Sequence, residues 1–272
     1  MPELPEVEAV RRMLERAARG ARIDRVELRR PDLRRPFPAG FAARLTGQTI
    51  TSVSRRGKYL LIALGSGETL LAHLGMSGAF RIERRAAARA ASARDSHDHV
   101  VLVLSSGVVV TFNDPRRFGV MDLIRAGEEH AALRRMGPEP LDAAFGAAVL
   151  ARACARKRVA LKQLLVDQRH IAGVGNIYAS EALHHARLSP LRRASTIATP
   201  AGAPREAAFR LAKGVKAVLR KAVAANAHAY ESGRFRVYER EGRPCPRRGC
   251  PGTIRRITQA GRSTYFCPVC QK

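Results

Sequence analysis

Four cysteines near the C-terminus constrain the fold of this chain more than any other feature. They follow the pattern C-x4-C-x16-C-x2-C, in a segment too short to bury a hydrophobic core of its own. Four thiolates at this spacing match a tetrahedral zinc ion, whose binding supplies the folding free energy that a small core lacks. Two disulfides, or thiols without a ligand role, are the alternatives. The predicted ligands of one structural zinc ion are Cys245, Cys250, Cys267 and Cys270.

The charge of the chain indicates a polyanionic partner. It contains 49 Lys and Arg against 23 Asp and Glu, a formal net charge of +26 at pH 7. Such a surface favours nucleic acid, because neutralising phosphates releases condensed counterions. An arginine-rich, high-GC genome is the alternative source of the excess. With nine Phe, five Tyr and no Trp, the chain offers few side chains on which single-stranded bases would stack, which favours a duplex.

From the sequence we expect neither a membrane span nor a secretion signal. It has no run of 18 apolar residues, and its first residues lack the basic and apolar regions of a signal peptide. We therefore expect a protein of a reducing compartment, where clustered thiols bind metal instead of forming disulfides.

Composition and periodicity divide the chain into a β-rich part, a helical part and the cysteine module. A helix is predicted over Pro5–Arg19, and two hairpins around the glycine-containing turns at 65–67 and 105–107. Arg84–Arg94, rich in Ala, Arg and Ser, is interpreted as a mobile loop, and the Gly-Pro-Glu-Pro sequence at 137–140 as a linker. The predicted divisions are a β-rich domain over 1–125, a linker over 126–144, a helical domain over 145–235 and the cysteine module over 236–272.

A glycine-containing turn precedes one of the predicted helices. Gly173 and Gly175 lie just before Asn176, and we expect the free backbone N–H groups at this helix start to bind a phosphate. Basic side chains at Lys157 and Lys162 support this interpretation. A plain connector between two helices is the alternative.

Two further segments match the contacts of a protein that bends a duplex. The turn Asn113–Gly119 presents two arginines beside Phe118, which suit phosphate contact and a wedge between bases. A capped turn with one core Phe is the alternative. Met76 lies between glycines as an exposed probe would, although a Met is more often a core residue. In the His97-Asp98-His99 sequence, strand alternation places the two histidines on one face, in a structural role or a phosphate contact rather than a metal site.

Carboxylates crowd the N-terminus of this otherwise basic chain. Glu3, Glu6 and Glu8 occupy the first eight residues, and removal of Met1 would expose the secondary amine of Pro2. An α-amino group has the lowest pKa of the common amines, so part of it is a free nucleophile near neutral pH. An acidic first turn favoured by the helix dipole explains Glu6 and Glu8, but not the Pro2-Glu3 pair.

Taken together, these motifs resemble the formamidopyrimidine-DNA glycosylase family of bacterial base-excision repair enzymes. The resemblance runs nearly end to end, through Pro2–Glu8, Arg56–Tyr59, Asn113–Gly119, Gly173–Glu181 and the cysteine module. It implies an α+β fold of several domains: an N-terminal β-sandwich with flanking helices, a helix-two-turn-helix domain and a C-terminal zinc-finger β-hairpin. It implies a monomer in a bacterial cytoplasm, associated with the nucleoid, with damaged double-stranded DNA as its partner.

The resemblance also implies an activity and the residues that perform it. The enzyme removes oxidised purines (8-oxoguanine and formamidopyrimidines) and then cleaves the strand by β,δ-elimination. Pro2 resembles the nucleophile that attacks C1′ and forms a Schiff base, and Glu3 resembles the acid that assists opening of the sugar ring. Lys58 resembles the proton donor for β-elimination. Arg262 resembles the corresponding group for δ-elimination and a phosphate ligand.

The remaining residues implied by the resemblance support the fold or contact DNA. Glu6 positions the N-terminal helix, and Arg116 faces the base opposite the extruded nucleotide. Because a base inside a duplex is unreachable, the nucleotide must be extruded and its gap filled. The implied DNA contacts are Met76, His97, Arg116, Arg117, Phe118, Lys157, Lys162 and Asn176.

One segment departs from the family pattern. Family members carry a longer stretch between the last long helix and Val237, where a loop covers the extruded base, whereas only Ala224–Arg236 is available here. We expect the chemistry to survive and the lesion preference to be open. The alternatives are an enzyme of endonuclease VIII type that removes oxidised pyrimidines, a non-catalytic duplex-binding protein, and a ribosome-associated RNA-binding protein. Pro2, Glu3 and Lys58 together argue against the last two.

Overall fold

A computed structural model describes residues 1–84, 95–225 and 235–272 of the chain. The described residues form two compact units, one of Met1–Pro2 with Glu6–Arg134 and one of Glu3–Pro5 with Arg135–Lys272. Apart from Arg84, the predicted mobile loop Arg84–Arg94 lies outside the described residues, as does most of the short segment Ala224–Arg236.

The first unit is built on two four-stranded antiparallel sheets. One sheet has the order β1-β6-β7-β5 and the other the order β2-β3-β4-β8. The strands are β1 Ile23–Leu28, β2 Ile50–Arg56, β3 Tyr59–Leu64, β4 Thr69–His73, β5 Ala79–Arg84, β6 Asp98–Leu104, β7 Val108–Asn113 and β8 Val120–Ile124. The helices are α1 Leu4–Ala18, whose first two residues belong to the second unit, α2 Phe41–Leu45 and α3 Ala131–Arg134.

Both sheets and α1 enclose one hydrophobic core. Strand β3 alternates between half-buried and buried positions, so that Leu60, Ile62 and Leu64 all face inward. Val7 and Leu14 of α1 lie in the same cluster. This arrangement confirms the predicted β-sandwich with a flanking helix, and the two predicted hairpins form as β3–β4 and β6–β7.

The prediction that His97 and His99 share a strand face is wrong. The pairing of β6 with β7 shifts register between Asp98 and Val100, which marks a β-bulge. All residues of β6 are buried, Asp98 and His99 included, whereas His97 precedes the strand and its side chain is exposed. Alternation fails here because a bulge inserts one residue without a cross-strand partner.

The second unit consists of helices followed by a small hairpin. Its elements are α4 Ala147–Cys154, α5 Leu161–Val166, α6 Asn176–Ala186, a 3-10 turn Ala194–Ile197, α7 Glu206–Ala224, β9 Arg255–Gln259 and β10 Arg262–Phe266. Helix α6 is central, since all but two of its residues are buried. Leu4, from the start of the chain, is fully buried in the same core.

The hairpin β9–β10 turns through two residues, Ala260 and Gly261, both with positive φ, the backbone of a type I′ turn. The sequence predicts a strand over Thr253–Ile257 and a hairpin tip at Gln259–Arg262. The strand starts at Arg255 instead, and the tip forms at the predicted residues. Among the described residues, no helix combines the length and hydropathy needed to cross a bilayer.

Candidate functional site

Glu3 is held at the N-terminus of α6. Its side chain is 2% exposed, and its carboxylate accepts the backbone N–H of Ile177 at 2.9 Å and that of Tyr178 at 3.3 Å. These amides belong to the first turn of the helix, where no intrahelical acceptor exists and a negative charge is favoured. The site therefore fixes the carboxylate in both position and orientation.

Three of the backbone amides around the glycine-containing turn are already occupied, and the phosphate contact predicted there stays a prediction. Besides the two taken by Glu3, the N–H of Gly173 donates to the side-chain oxygen of Gln168 at 2.8 Å. The carbonyl of Gly173 in turn accepts the N–H of Leu4 at 3.1 Å. The glycines allow the first residues of the chain to approach closely.

Lys162 connects α5 with α6 and with β10. Its ammonium donates to Oδ1 of Asn176 at 2.6 Å, to Oγ1 of Thr264 at 2.6 Å and to the carbonyl of Ser263 at 3.2 Å. The side chain is 3% exposed, and burial lowers its pKa to about 8, with Glu3 opposing and Arg262 adding to that shift. This geometry favours a positioning role, and the DNA contact predicted for Lys162 stays a prediction.

Asn176 forms part of the same network. Its amide donates to the carbonyl of Ser263 at 2.9 Å, while its oxygen accepts from Lys162. Arg262, the residue before Ser263, is exposed at the tip of the hairpin. The hairpin backbone that carries Arg262 is therefore fixed to α6 by hydrogen bonds, while the arginine side chain reaches solvent.

Lys58 occupies a tight turn of the first unit. It follows Gly57, whose φ is +57°, in the two-residue connection between β2 and β3. The side chain is buried, and its charge contributes to a low pKa of His73, about 4, of which burial is the main cause and Arg34 a further one. The Nδ1 atom of His73 accepts the N–H of Gly75 at 3.0 Å.

Pro2 and Glu6, the other N-terminal residues of interest, are half-buried in the first unit. Glu6 follows Leu4 and Pro5 in the first turns of α1. Their predicted roles stay predictions.

The structure brings the Met76 turn and the Arg116–Phe118 turn together. A Cβ atom at Gly75 would lie 2.4 Å from the backbone of Phe118, so the two turns touch at this glycine. Ser77 donates to Asp114 at 2.6 Å and accepts the N–H of Arg116 at 3.2 Å.

At their tips these turns expose apolar side chains. Met76 is 43% and Phe118 40% exposed, and the Arg116 guanidinium lies 5.0 Å from the centre of the Phe118 ring. Neither Met76 nor Phe118 is a core residue in this structure. The two alternatives considered above are therefore excluded.

The other predicted DNA contacts lie on the surface of their own units. His97 hydrogen-bonds Asp95 through Nδ1 at 2.9 Å, and Arg117 lies 3.6 Å from Asp32. Lys157 is exposed.

The four C-terminal cysteines form one cluster. Their sulfur atoms all lie within 4.8 Å of one another, with Cys245–Cys270 at 3.8 Å and Cys250–Cys267 at 3.6 Å. Four sulfurs at the Zn–S distance of about 2.3 Å in a tetrahedron are separated by about 3.8 Å, so the cluster fits a zinc ion. These separations exclude the alternative of two disulfides, whose sulfurs are about 2 Å apart. The cysteines hold one structural zinc.

Sequence reasoning missed two residues, Glu181 and Tyr238, that lie near the network of Lys162 and Asn176. The buried carboxylate of Glu181, on α6, accepts the backbone N–H groups of Arg236, Val237 and Tyr238, at 2.8–3.1 Å. Burial is the main cause of a raised pKa of the Tyr238 hydroxyl, and the neighbouring side chain of Asn176 opposes that shift. A single Glu in a helix and a single Tyr in a loop are ordinary, so neither residue indicates its role, although Glu181 ends the Gly173–Glu181 stretch of the resemblance.

Comparison with known proteins covers almost the whole chain. Family models for the formamidopyrimidine-DNA glycosylase N-terminal domain, the H2TH domain of the same enzyme and the zinc finger found in FPG and IleRS match residues 1–121, 136–232 and 242–272. The chain is 53% identical to a formamidopyrimidine-DNA glycosylase of Rhodopseudomonas palustris (strain BisA53) over 293 positions, with both chains covered completely.

Solved structures agree with these matches. The MutM (Fpg) protein from Thermus thermophilus is 40% identical, with a TM-score of 0.83 and coverage of 99% of this chain and 98% of that one. The Lactococcus lactis enzyme bound to DNA containing an AP site is 31% identical, with a TM-score of 0.87 and coverage of 99% of both chains.

A two-sheet N-terminal domain, an H2TH domain and a four-cysteine zinc finger together define a DNA glycosylase of base excision repair. The chain belongs to the formamidopyrimidine-DNA glycosylase family. The DNA-binding and enzymatic predictions made from the sequence are thereby confirmed, and so is the fold.

Proposed function

We propose that this glycosylase excises oxidised purines, including 8-oxoguanine and formamidopyrimidines, from duplex DNA and then cleaves the strand at the abasic site. The observation that carries the proposal is the Glu3 carboxylate, fixed by two backbone amides of α6 one residue after Pro2. A MutM relative solved with DNA containing carbocyclic 8-oxoguanine, and a Lactococcus lactis relative solved with DNA containing N7-benzyl-Fapy-dG, support this substrate class.

The reaction begins at the secondary amine of Pro2, once Met1 has been removed. Its nitrogen forms a bond to C1′ while the bond from C1′ to the base breaks, and the base leaves with that electron pair and takes up a proton. Opening of the sugar ring then gives an iminium at C1′, with a proton delivered to the ring oxygen. Glu3 is the acid that delivers this proton. It follows Pro2 directly in the sequence, and two backbone amides of α6 fix its carboxyl group.

Strand cleavage follows by two eliminations from the iminium. Loss of a C2′ proton expels the 3′ phosphate, and a second elimination expels the 5′ phosphate. Lys58 supplies the proton for the first elimination, and Arg262 performs the corresponding role in the second and binds a phosphate. The exposure of Arg262 at the hairpin tip supports a DNA contact.

The side chains that fill the gap left by the extruded nucleotide are Met76, Arg116 and Phe118. All three are exposed on two turns that touch each other, a place from which a side chain can enter a base stack. His97, Arg117 and Lys157 contact the DNA backbone. Asn176 contributes through the network that it shares with Lys162. The enzyme acts as a monomer on the nucleoid of a bacterial cytoplasm.

Borohydride trapping tests the proposal. Borohydride reduces an iminium to a stable amine, so protein becomes covalently linked to DNA only if an amine has attacked C1′. We would use duplexes with 8-oxoguanine opposite cytosine, with an oxidised pyrimidine and with an abasic site. Peptide mapping by mass spectrometry would then locate the linked residue.

The expected result is a linkage on Pro2 with the 8-oxoguanine and abasic duplexes. Protein that retains Met1 serves as the matched control and should give no linkage. A linkage on Lys58 or another amine would overturn the assignment of the nucleophile. Trapping with the oxidised pyrimidine alone would assign the activity of endonuclease VIII type instead.

A further inference from the structure

His184, on the last turn of α6, lies against the cysteine cluster. The residue is completely buried, and its Nε2 atom is 3.4 Å from the sulfur of Cys245. No step of the proposed reaction uses it. A histidine in this position differs from the apolar side chains that fill most of α6, since it brings a polar ring into a buried place.

The contact has only one chemically consistent direction. A cysteine that binds zinc is a thiolate, which accepts hydrogen bonds and cannot donate one. The proton must then reside on Nε2 of His184, and the other ring nitrogen is left as an acceptor. Among the described residues, Nδ1 has no hydrogen-bond partner although it is buried. The ring therefore makes its one hydrogen bond to the sulfur.

Two further hydrogen bonds join the same part of the chain to the module. The guanidinium of Arg247, two residues after Cys245, donates to the carbonyl of His184. Gln271 accepts the N–H of Cys267 at 2.8 Å and donates to the carbonyl of Leu188 at 2.9 Å. The ligand loops are thus attached to the C-terminal end of α6 on both sides of the cluster.

We infer that His184 is a positioning residue of the zinc module: its Nε2–H donates to the Cys245 thiolate and holds that ligand in place for the metal. Partners that hydrogen-bond a metal ligand orient it and reduce the charge that it must carry alone. Their loss typically weakens metal binding by about 10–100-fold. The same contact fixes the module to the helix whose other end holds Glu3.

The test compares two replacements of nearly equal size in the full-length protein. In His184→Gln the side-chain amide retains an N–H donor near the position of Nε2, whereas His184→Met has none. His185→Ala is the control at the adjacent position, where the ring packs against Gly214 of α7 instead of the cluster. Zinc affinity is measured by competition with a chromophoric chelator, and circular dichroism verifies that each variant is folded.

We expect His184→Met to lose about 10–100-fold in zinc affinity, and His184→Gln and His185→Ala to stay close to the parent protein. With Co2+ in place of zinc, the sulfur-to-cobalt charge-transfer band should move to longer wavelength in His184→Met alone, because an unshared thiolate is easier to oxidise. Equal affinities for the Gln and Met variants, whether both normal or both weak, would overturn the inference. If His184→Met does not fold, His184→Asn takes its place in the comparison. Loss of zinc affinity in His184→Gln would then overturn the inference. The same position of the cobalt charge-transfer band in the Gln and Asn variants would overturn it as well.

Discussion

The side chain of Glu3 occupies the space that a side chain at Gly175 would fill. A Cβ atom on the glycine would lie 2.3 Å from Cδ of the glutamate. The backbone at Gly175 is extended, with φ of −128° and ψ of −159°, a conformation open to any residue. Glycine is therefore required at this helix start by the carboxylate beside it and not by the backbone. The acid and the residue that makes room for it are 172 positions apart in the sequence, which is the difference between their numbers.

Replacement of Gly175 by Ala should consequently displace Glu3. We expect borohydride trapping and strand cleavage to fall sharply, and the free energy of unfolding to decrease by about 1–3 kcal/mol, as for other overpacked sites. Gly146→Ala is the matched control, because Gly146 also caps a helix in an extended conformation but has open space around it. Activity of Gly175→Ala equal to that of the control would show that the position of Glu3 does not matter.

Lys157 and Lys162 should respond differently to the same substitution. Lys157→Met removes an exposed charge, so DNA binding should weaken at low salt and the salt dependence should lose about one phosphate contact, with stability unchanged. Lys162→Met leaves buried acceptors on Asn176 and Thr264 without their donor, at a cost of about 1–3 kcal/mol for each unsatisfied group. Urea unfolding and binding titrations at several salt concentrations measure both effects. Equal salt slopes for the two variants would identify Lys162 as a direct DNA contact.

His73 should make stability depend on pH between about 4 and 6.5. In the unfolded chain the imidazole has its ordinary pKa of 6.5 and is protonated below it. In the folded protein its pKa is about 4, so it stays neutral over this interval. Its contribution is therefore fully present above pH 6.5 and is lost as the pH falls, to a total of about 3 kcal/mol.

The variant His73→Asn separates this effect from other titrations. Its Oδ1 atom can replace Nδ1 as the acceptor for the Gly75 N–H, but it does not titrate. Urea unfolding of both proteins at pH 4.5 and pH 7.5 should show a smaller difference for the variant. Identical pH dependence would assign the effect to other groups.

Cys154 should be inert toward thiol reagents in the native protein. It is fully buried in the core of the second unit, and burial raises its pKa to about 12, so almost no thiolate forms at neutral pH. After removal of zinc with a chelator, iodoacetamide should modify the four clustered cysteines, while Cys154 reacts only in denaturant. Mass spectrometry identifies the modified residues, and labelling of Cys154 before the chelator is added would contradict this expectation.

Local patterns in the sequence were sufficient for most elements of the fold. The helix at the N-terminus, the hairpins β3–β4 and β6–β7 and the metal ligands all depend on residues close together in the chain, where periodicity, turn glycines and ligand spacing apply. The helix α1 begins at Leu4, one residue before its predicted start. The strand β9 begins at Arg255, two residues after its own predicted start at Thr253.

What the sequence could not predict depends on residues far apart in the chain. Nothing in the glycine turn before α6 indicates that the Glu3 side chain, 174 residues from Ile177, accepts two of the amides at this helix start. Lys162 looks like a surface cation until Thr264, 102 residues away, buries and binds it. In the same way, the bulge at Asp98 depends on the register of β6 with β7, which strand alternation within one segment does not contain.

The placement of Leu4 and Glu3 in the second unit has a consequence for the order of folding. Leu4 is buried in the core of a unit whose other residues begin at Arg135, and Glu3 satisfies the start of one of the helices in that unit. Closing so long a loop is slow, because its entropy must be lost before the contacts form. The helical unit therefore cannot complete its packing from its own contiguous residues alone, and reaches it only once Glu3 and Leu4 have docked.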